Sequence, residues 1–165
     1  MFESTMPVDA LGLALLSFWF FWIGASMGSF ASAISYRALR GESWVVNQFT
    51  QEGGAARSRC PNCDHQLGLI DLVPVLSWIG LRGKCRYCRN PISPVYPFLE
   101  LVSGLMAAIF FVLDGKFVVS IGFSFLIPFV VALGASLARE PQKVPRSLVV
   151  MGLLSLGGMV LLSLA

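Results

Sequence analysis

The sequence predicts an all-α integral membrane protein with about four transmembrane helices and a large polar loop between the first two. Three observations predict it. Of the 165 residues, 56% are hydrophobic and only 13% charged, where a soluble domain carries about a quarter charged residues. The mean hydropathy is +0.74, and a soluble fold of this size would expose large apolar patches. The apolar residues also fall in long blocks rather than short alternating runs, with the charges gathered between them.

Residues 1–36 hold an outer tip and the first span, which has no charge from Ala10 until Arg37. A secretory signal would start basic and have a shorter apolar core. This segment starts with Glu3 and Asp9. Gly24, Gly28 and Ser32 recur every four residues and line one helical face, flanked by Ala25, Ser29 and Ala33. Such a stripe is a close-packing face in a bundle or a groove for a substrate helix. Residues 94–113 form the second span, interrupted by one carboxylate, Glu100. Asp114, Gly115 and Lys116 make a turn into the third span, 117–137. A short loop, 138–146, leads to the fourth span, 147–165, which Gly157 and Gly158 loosen. Blocks of about 18–25 residues match a hydrocarbon core of roughly 30 Å.

The loop at 37–93 holds eight of the twelve Lys and Arg against four acids, a net charge of +4. The 138–146 loop has Arg139, Lys143 and Arg146 against Glu140. A basic loop suits nucleic acid or anionic lipid. In a membrane protein it reads as a cytoplasmic segment, without a nucleic-acid partner. Both loops are therefore expected in the cytoplasm and both termini outside.

All four cysteines lie in that first loop, as Cys60-Pro-Asn-Cys63 and Cys85-Arg-Tyr-Cys88, with 21 residues between the pairs. Two such knuckles at this spacing point to a structural, zinc-ribbon-like tetrathiolate site. The alternatives are two disulfides, which a cytoplasmic loop disfavours, or four unrelated thiols. Zinc is preferred to an iron–sulfur cluster because paired knuckles of this kind are most often zinc sites. The neighbouring Arg59, Lys84, Arg86 and Arg89 are expected to favour thiolates. His65 reads as a knuckle side chain rather than a ligand, since four sulfurs close the site. Between the knuckles, the apolar segment 69–80 suggests a short helix or wedge on the membrane surface, with Trp78 at the interface.

Several short motifs occur in order: Gly28-Ser-Phe30, Tyr36-Arg37, Ser58-Arg-Cys-Pro-Asn-Cys63, Val73-Pro-Val-Leu-Ser-Trp78, Arg82-Gly-Lys-Cys-Arg-Tyr-Cys88 and Pro91-Ile-Ser-Pro-Val-Tyr-Pro97 with Glu100. Together they resemble the amino-terminal domain of the bacterial type IV prepilin peptidases over roughly residues 24–104. The resemblance implies a bacterial inner-membrane, multi-pass protein acting in type IV pilus or type II secretion assembly. Members of that family cleave prepilins and pseudopilins and then methylate the new amino terminus with S-adenosylmethionine. Their proteolysis uses two membrane-embedded aspartates. By the family register Ala138 stands where the first would be, and Arg146 replaces the acid after Val144-Pro145. The sequence ends at Ala165, before a Gly-x-Gly-Asp segment. Aspartyl proteolysis needs two carboxylates sharing a proton, so the expectation is a chain that is not an aspartic protease on its own. It departs from the family also at Ser32, where an asparagine is usual, at Leu39, where a proline is usual, and in a polar insert at 41–56.

Methyl transfer is the family activity that survives, and the resemblance implicates Gly83 in it. Read from the residue alone, Gly83 is a turn glycine that presents Cys85. No Rossmann Gly-x-Gly-x-x-Gly is present, so the cofactor site is left unassigned. Glu100 is a functional candidate because a carboxylate inside a span is costly. It is expected either to pair with Arg82 or Arg37 or to hold a cation, the amine of a processed pilin or the sulfonium of the donor. The expected function is a stand-alone N-methyltransferase beside a separate peptidase. The alternative is a non-catalytic subunit that binds a peptidase, a pilin or another membrane protein.

Overall fold

The computed structural model describes residues 9–42 and 58–164. Four helices among them are long and apolar enough to cross a membrane: α1 (Ala10–Ala38), α3 (Val95–Asp114), α4 (Phe117–Arg139) and α5 (Arg146–Leu164). A short helix, α2 (Leu76–Gly80), lies in the loop between α1 and α3, preceded by a single 3₁₀ turn at Leu69–Leu72. Among the described residues there is no strand, only two isolated bridges in that loop. The all-α membrane architecture read from the sequence is therefore the one observed, with α1 and α4 each running two residues past their expected ends. Most of the insert at 41–56 and the tip residue Glu3 lie outside the described residues.

Local chemistry sets the helix ends. Asp9 caps α1, its Oδ1 accepting from the Gly12 N–H at 2.8 Å, which satisfies one of the free amides of the first turn. Gly115 closes α3 in the left-handed region at φ +70°. Its N–H donates to the Phe111 carbonyl at 2.8 Å, a C-terminal cap that glycine adopts without strain. The chain then turns within two residues into α4.

Helix α1 packs against both α3 and α4, and α4 carries α5. The α1–α3 contact is close because glycine faces backbone. A Cβ on Gly24 would lie 2.4 Å from the Ser103 carbonyl oxygen, and one on Gly28 would lie 2.7 Å from that of Leu99. Of the two expectations for the small-residue stripe, packing is the one realised at these glycines. Phe20 stacks on Phe111 at 4.5 Å beside this seam. On the α4 side, Ala31, Ile34 and Ala38 meet Ala132 and Leu148, and the buried Ser136 hydroxyl donates to that of Ser35 at 2.9 Å. Hydroxyl bonds and small residues do the joining in lipid, where burial of apolar area between helices gains little. Arg139, at the end of α4, lies 5.8 Å over the Tyr96 ring at the start of α3. That contact ties the second polar loop to the same end of the bundle as the first.

Candidate functional site

The four cysteines converge. One sulfur from each of Cys60, Cys63, Cys85 and Cys88 lies within 4.8 Å of all the others, and Cys60 Sγ stands 3.9 Å from Cys88 Sγ. A tetrahedral zinc with Zn–S bonds of about 2.3 Å holds its sulfurs roughly 3.8 Å apart. The donor set therefore fits zinc in chemistry and in spacing.

The two knuckles are built alike, displaced by 25 residues. The Cys60 N–H donates to the His65 carbonyl at 3.0 Å and the Cys85 N–H to that of Asn90 at 2.9 Å. The Asp64 N–H returns to the Cys60 carbonyl as that of Arg89 does to Cys85. Asp64 and Arg89 both take a positive φ, 54° and 62°. Each knuckle is closed by an antiparallel bridge, Arg59 to Gln66 and Lys84 to Pro91. Backbone N–H groups of His65 and Asn90 point at the Cys63 and Cys88 sulfurs. Two copies of one turn thus present their sulfurs to a shared point.

Electrostatics within the cluster are uneven. The Asn90 N–H, with help from neighbouring thiols and the Asn62 amide, holds the Cys88 thiol down to about 7. The His65 N–H pulls Cys63 the same way, but burial and the thiols of Cys88 and Cys60 outweigh it and push that thiol up to about 11. A cation at the centre is what would make all four thiolates together, with release of their protons.

The flanking bases do less for the sulfurs than their positions in the sequence suggest. Arg59 pairs with Asp64 at 3.1 Å and Arg86 with Asp71 at 2.7 Å, while Lys84 and Arg89 are exposed, with no ion pair among the described residues. Asp71 is the hub of the loop, its side chain only 6% exposed. It accepts from Arg86, from the Tyr87 hydroxyl at 3.0 Å and from the Gly68 N–H at 3.1 Å. Tyr87 in turn stacks on His65 at 3.6 Å, so His65 braces the two knuckles and is not among the clustered ligands. Burial works against the Asp71 charge, but Arg86, Gly68 and Tyr87 prevail and hold its carboxyl below the usual range. Such a depressed value stabilises the fold above the ordinary carboxylate pKa, and the contribution is lost as pH falls through the lowered one. Asp71→Asn is expected to speed loss of metal to a chelator about tenfold at neutral pH, the worth of one charge-assisted hydrogen bond. Chelator competition with a chromogenic zinc indicator reads this out.

Trp78 is tied into the loop itself. Its Nε1–H donates to the Ile92 carbonyl at 3.1 Å, and its ring covers Gly83. A Cβ on Gly83 would lie 2.8 Å from that ring, and the residue sits at φ +69°. Both facts demand glycine.

Glu100 lies in the second turn of α3, 9% exposed. Among the described residues, the groups acting on its carboxylate are the Val75 N–H, bonded to Oε2 at 2.7 Å, and the Ser29 hydroxyl of α1. Both are neutral. The expected pairing with Arg82 is not formed, because Arg82 is turned out to solvent. Val75 has φ 59° and ψ −49°, and the Leu76 N–H bonds back to the Pro74 carbonyl. This is a γ-turn, rare and strained for a β-branched residue, and the bond to Glu100 helps hold it. Glu100 and Gly83 are thereby linked through α2, since the turn bonded to one leads into the tryptophan that covers the other. Ser32 is buried and its hydroxyl bonds back to Ser29 within its own helix at 2.7 Å. Ala138 and Arg146 are exposed, at the end of α4 and the start of α5.

Asp71 and Val75 are not singled out by the sequence, which marks Ser29 only as a flank of the small-residue stripe. The repeat of basic residue–Cys–x–x–Cys at 59–63 and 84–88 was available as a sign of two equivalent knuckles. Nothing comparable marks Val75.

Residues 22–113 match the family described as the bacterial peptidase A24 N-terminal domain. A prepilin leader peptidase/N-methyltransferase of Burkholderia pseudomallei is 44% identical over 102 residues, covering 52% of this chain and 33% of that protein. The protein of that name in Myxococcus xanthus is 38% identical over 92 residues, covering 56% and 25%. That of Stutzerimonas stutzeri is 35% identical over 99 residues, covering 52% and 34%. The chain thus spans about a third or less of the length of these relatives. No solved structure matches it.

Proposed function

Since the chain belongs to the bacterial peptidase A24 N-terminal domain family, we propose that it serves prepilin maturation as an N-methyltransferase for processed prepilins or pseudopilins, without protease activity of its own. The observation that carries this reading is Glu100: a carboxylate buried inside a span and touched by neutral donors. A buried anion of this kind is costly unless it meets a cation. The amino terminus of a cleaved pilin is such a cation when protonated and a nucleophile when neutral.

In this reading zinc is structural, held by Cys60, Cys63, Cys85 and Cys88, and it fixes the loop that carries α2. Gly83 acts at one remove, letting Trp78 close over the second knuckle. Glu100 orients the amine, and the Val75 N–H and Ser29 hydroxyl orient Glu100. S-adenosylmethionine, when bound, supplies the methyl group as a sulfonium. The protein's share is positioning and exclusion of water. The chain has aspartates at 9, 64, 71 and 114, none of them paired inside a span, which supports the absence of aspartyl proteolysis from its own residues. The basic loops 37–93 and 138–146 face the cytoplasm and both termini lie outside, following the excess of Lys and Arg.

Glu100→Gln tests the assignment. The glutamine carbonyl still accepts from Val75, so the turn is kept while the charge is lost. Methylation of a processed pilin is expected to fall about a hundredfold with zinc content unchanged. A wild-type rate in the folded variant would remove Glu100 from the reaction. A second reading, a partner subunit that binds a peptidase or pilin without catalysis, is favoured by Ser32, whose hydroxyl is spent on its own helix. Failure of the purified protein to bind S-adenosylmethionine, together with co-purification of a peptidase, would decide for it.

A further inference from the structure

The segment between the knuckles leaves four large aliphatic side chains uncovered: Leu69 is 88% exposed, Ile70 70%, Ile79 58% and Leu76 53%. Beside them lies an open groove of about 320 Å³, walled by Ile70, Val73, Leu76 and Leu81 with Arg86 in its lining. In water such a surface would be a liability.

The depth of this segment is fixed by Glu100. Helix α3 has 20 residues from Val95, about 30 Å at 1.5 Å per residue, which is the thickness of the hydrocarbon core. Glu100 is five residues in, roughly 7.5 Å along the axis. The Val75 N–H is bonded to its carboxylate, and the same carboxylate meets Ser29 of α1, nine residues before the end of that helix. At Val75 the chain between the knuckles therefore reaches a level inside both spans. Elements that lie in the membrane interface sit about 5–10 Å into the headgroup–acyl boundary, and this turn is at that depth. Arg82, Lys84 and Arg89 remain exposed on the knuckle side of α2, where anionic headgroups are attractive partners.

We propose that residues 69–79 form a re-entrant wedge whose Leu69, Ile70, Leu76 and Ile79 side chains contact the acyl chains of the bilayer, latched at that depth by the Val75–Glu100 bond. The occupant of this surface is lipid, not a second copy or a pilin helix. The inference rests on membrane insertion and not on methyl transfer, so an inactive protein still tests it.

A benzophenone amino acid placed singly at Ile70, Ile79 and Gln66, in the full chain in nanodiscs of mixed zwitterionic and anionic phospholipid, gives the readout. On irradiation, mass spectrometry is expected to find lipid adducts at 70 and 79 and none at the exposed knuckle position 66. Adducts to another protein chain, or no lipid adducts at 70 and 79, would overturn the proposal. Glu100→Ala, checked for retained zinc, is expected to cut the adduct yield at both sites severalfold. An unchanged yield would overturn the latch.

Discussion

Replacing Cys85 by serine is expected to strip the protein of its metal and collapse the loop around it. Zinc should fall from about one per chain to background, because a structural tetrathiolate site needs all four sulfurs. Structural zinc binding is worth on the order of 10–16 kcal/mol in small zinc domains, far more than the hydrogen bonds of Asp71 supply. The two knuckles share little else: each is closed by a single bridge, and the links between them are the His65–Tyr87 stack and the Asn62 amide against Cys88. Cys85 is itself 2% exposed, so the unligated serine would also be left buried. Limited proteolysis in detergent, read at sites within 58–93, should pass from resistance to rapid cleavage, with the spans intact. Protein level in cells should fall in step. A variant that kept its level and its protease resistance while losing zinc would mean that the loop folds without metal.

The second large effect is expected in the seam between α1 and α3. Gly24→Val or Gly28→Leu puts side-chain atoms where the Ser103 and Leu99 carbonyl oxygens now stand, 2.4 and 2.7 Å from the new Cβ. Backbone atoms cannot swing aside as a side-chain tip can, so the helices must separate. Overpacking of this kind costs about 3 kcal/mol or more, a fall of roughly 6–12 °C in unfolding midpoint for a chain of this size. The shift also pulls Ser29 from Glu100, because both residues lie within a turn of the seam. On the proposed function, methylation should therefore suffer more than stability alone explains. Gly134→Ala is the control, since nothing lies within 4 Å of that position, and its midpoint should not fall, alanine being the better helix former.

Reading these features from sequence succeeded where the signal is one-dimensional. Length and hydropathy of the blocks suffice for the spans, and the spacing of Cys60, Cys63, Cys85 and Cys88 suffices to bring their sulfurs together. It failed where the partner is decided in three dimensions. In lipid both faces of a helix are apolar, so the sequence of α1 does not say that Gly24 and Gly28 meet α3 while Ala31 and Ile34 meet α4. Arg59 and Arg86 lie beside cysteines in the chain, yet carboxylates at Asp64 and Asp71 claim them. Glu100 was visible as an anomaly, but its partner is a backbone N–H, a group every residue but proline carries. Trp78 has the composition of an interfacial anchor. Its bond to the Ile92 carbonyl and its place over Gly83 are decided by the folded loop.

The most direct test of the proposed role is the mass of a pilin subunit. A prepilin co-expressed with a peptidase competent only for cleavage, and with this protein, should yield a mature amino terminus about 14 Da heavier than without it, one added methyl group. The gain should vanish with Glu100→Gln and with Cys85→Ser. A mature pilin of unmodified mass, made beside zinc-loaded, membrane-inserted protein, would contradict the account.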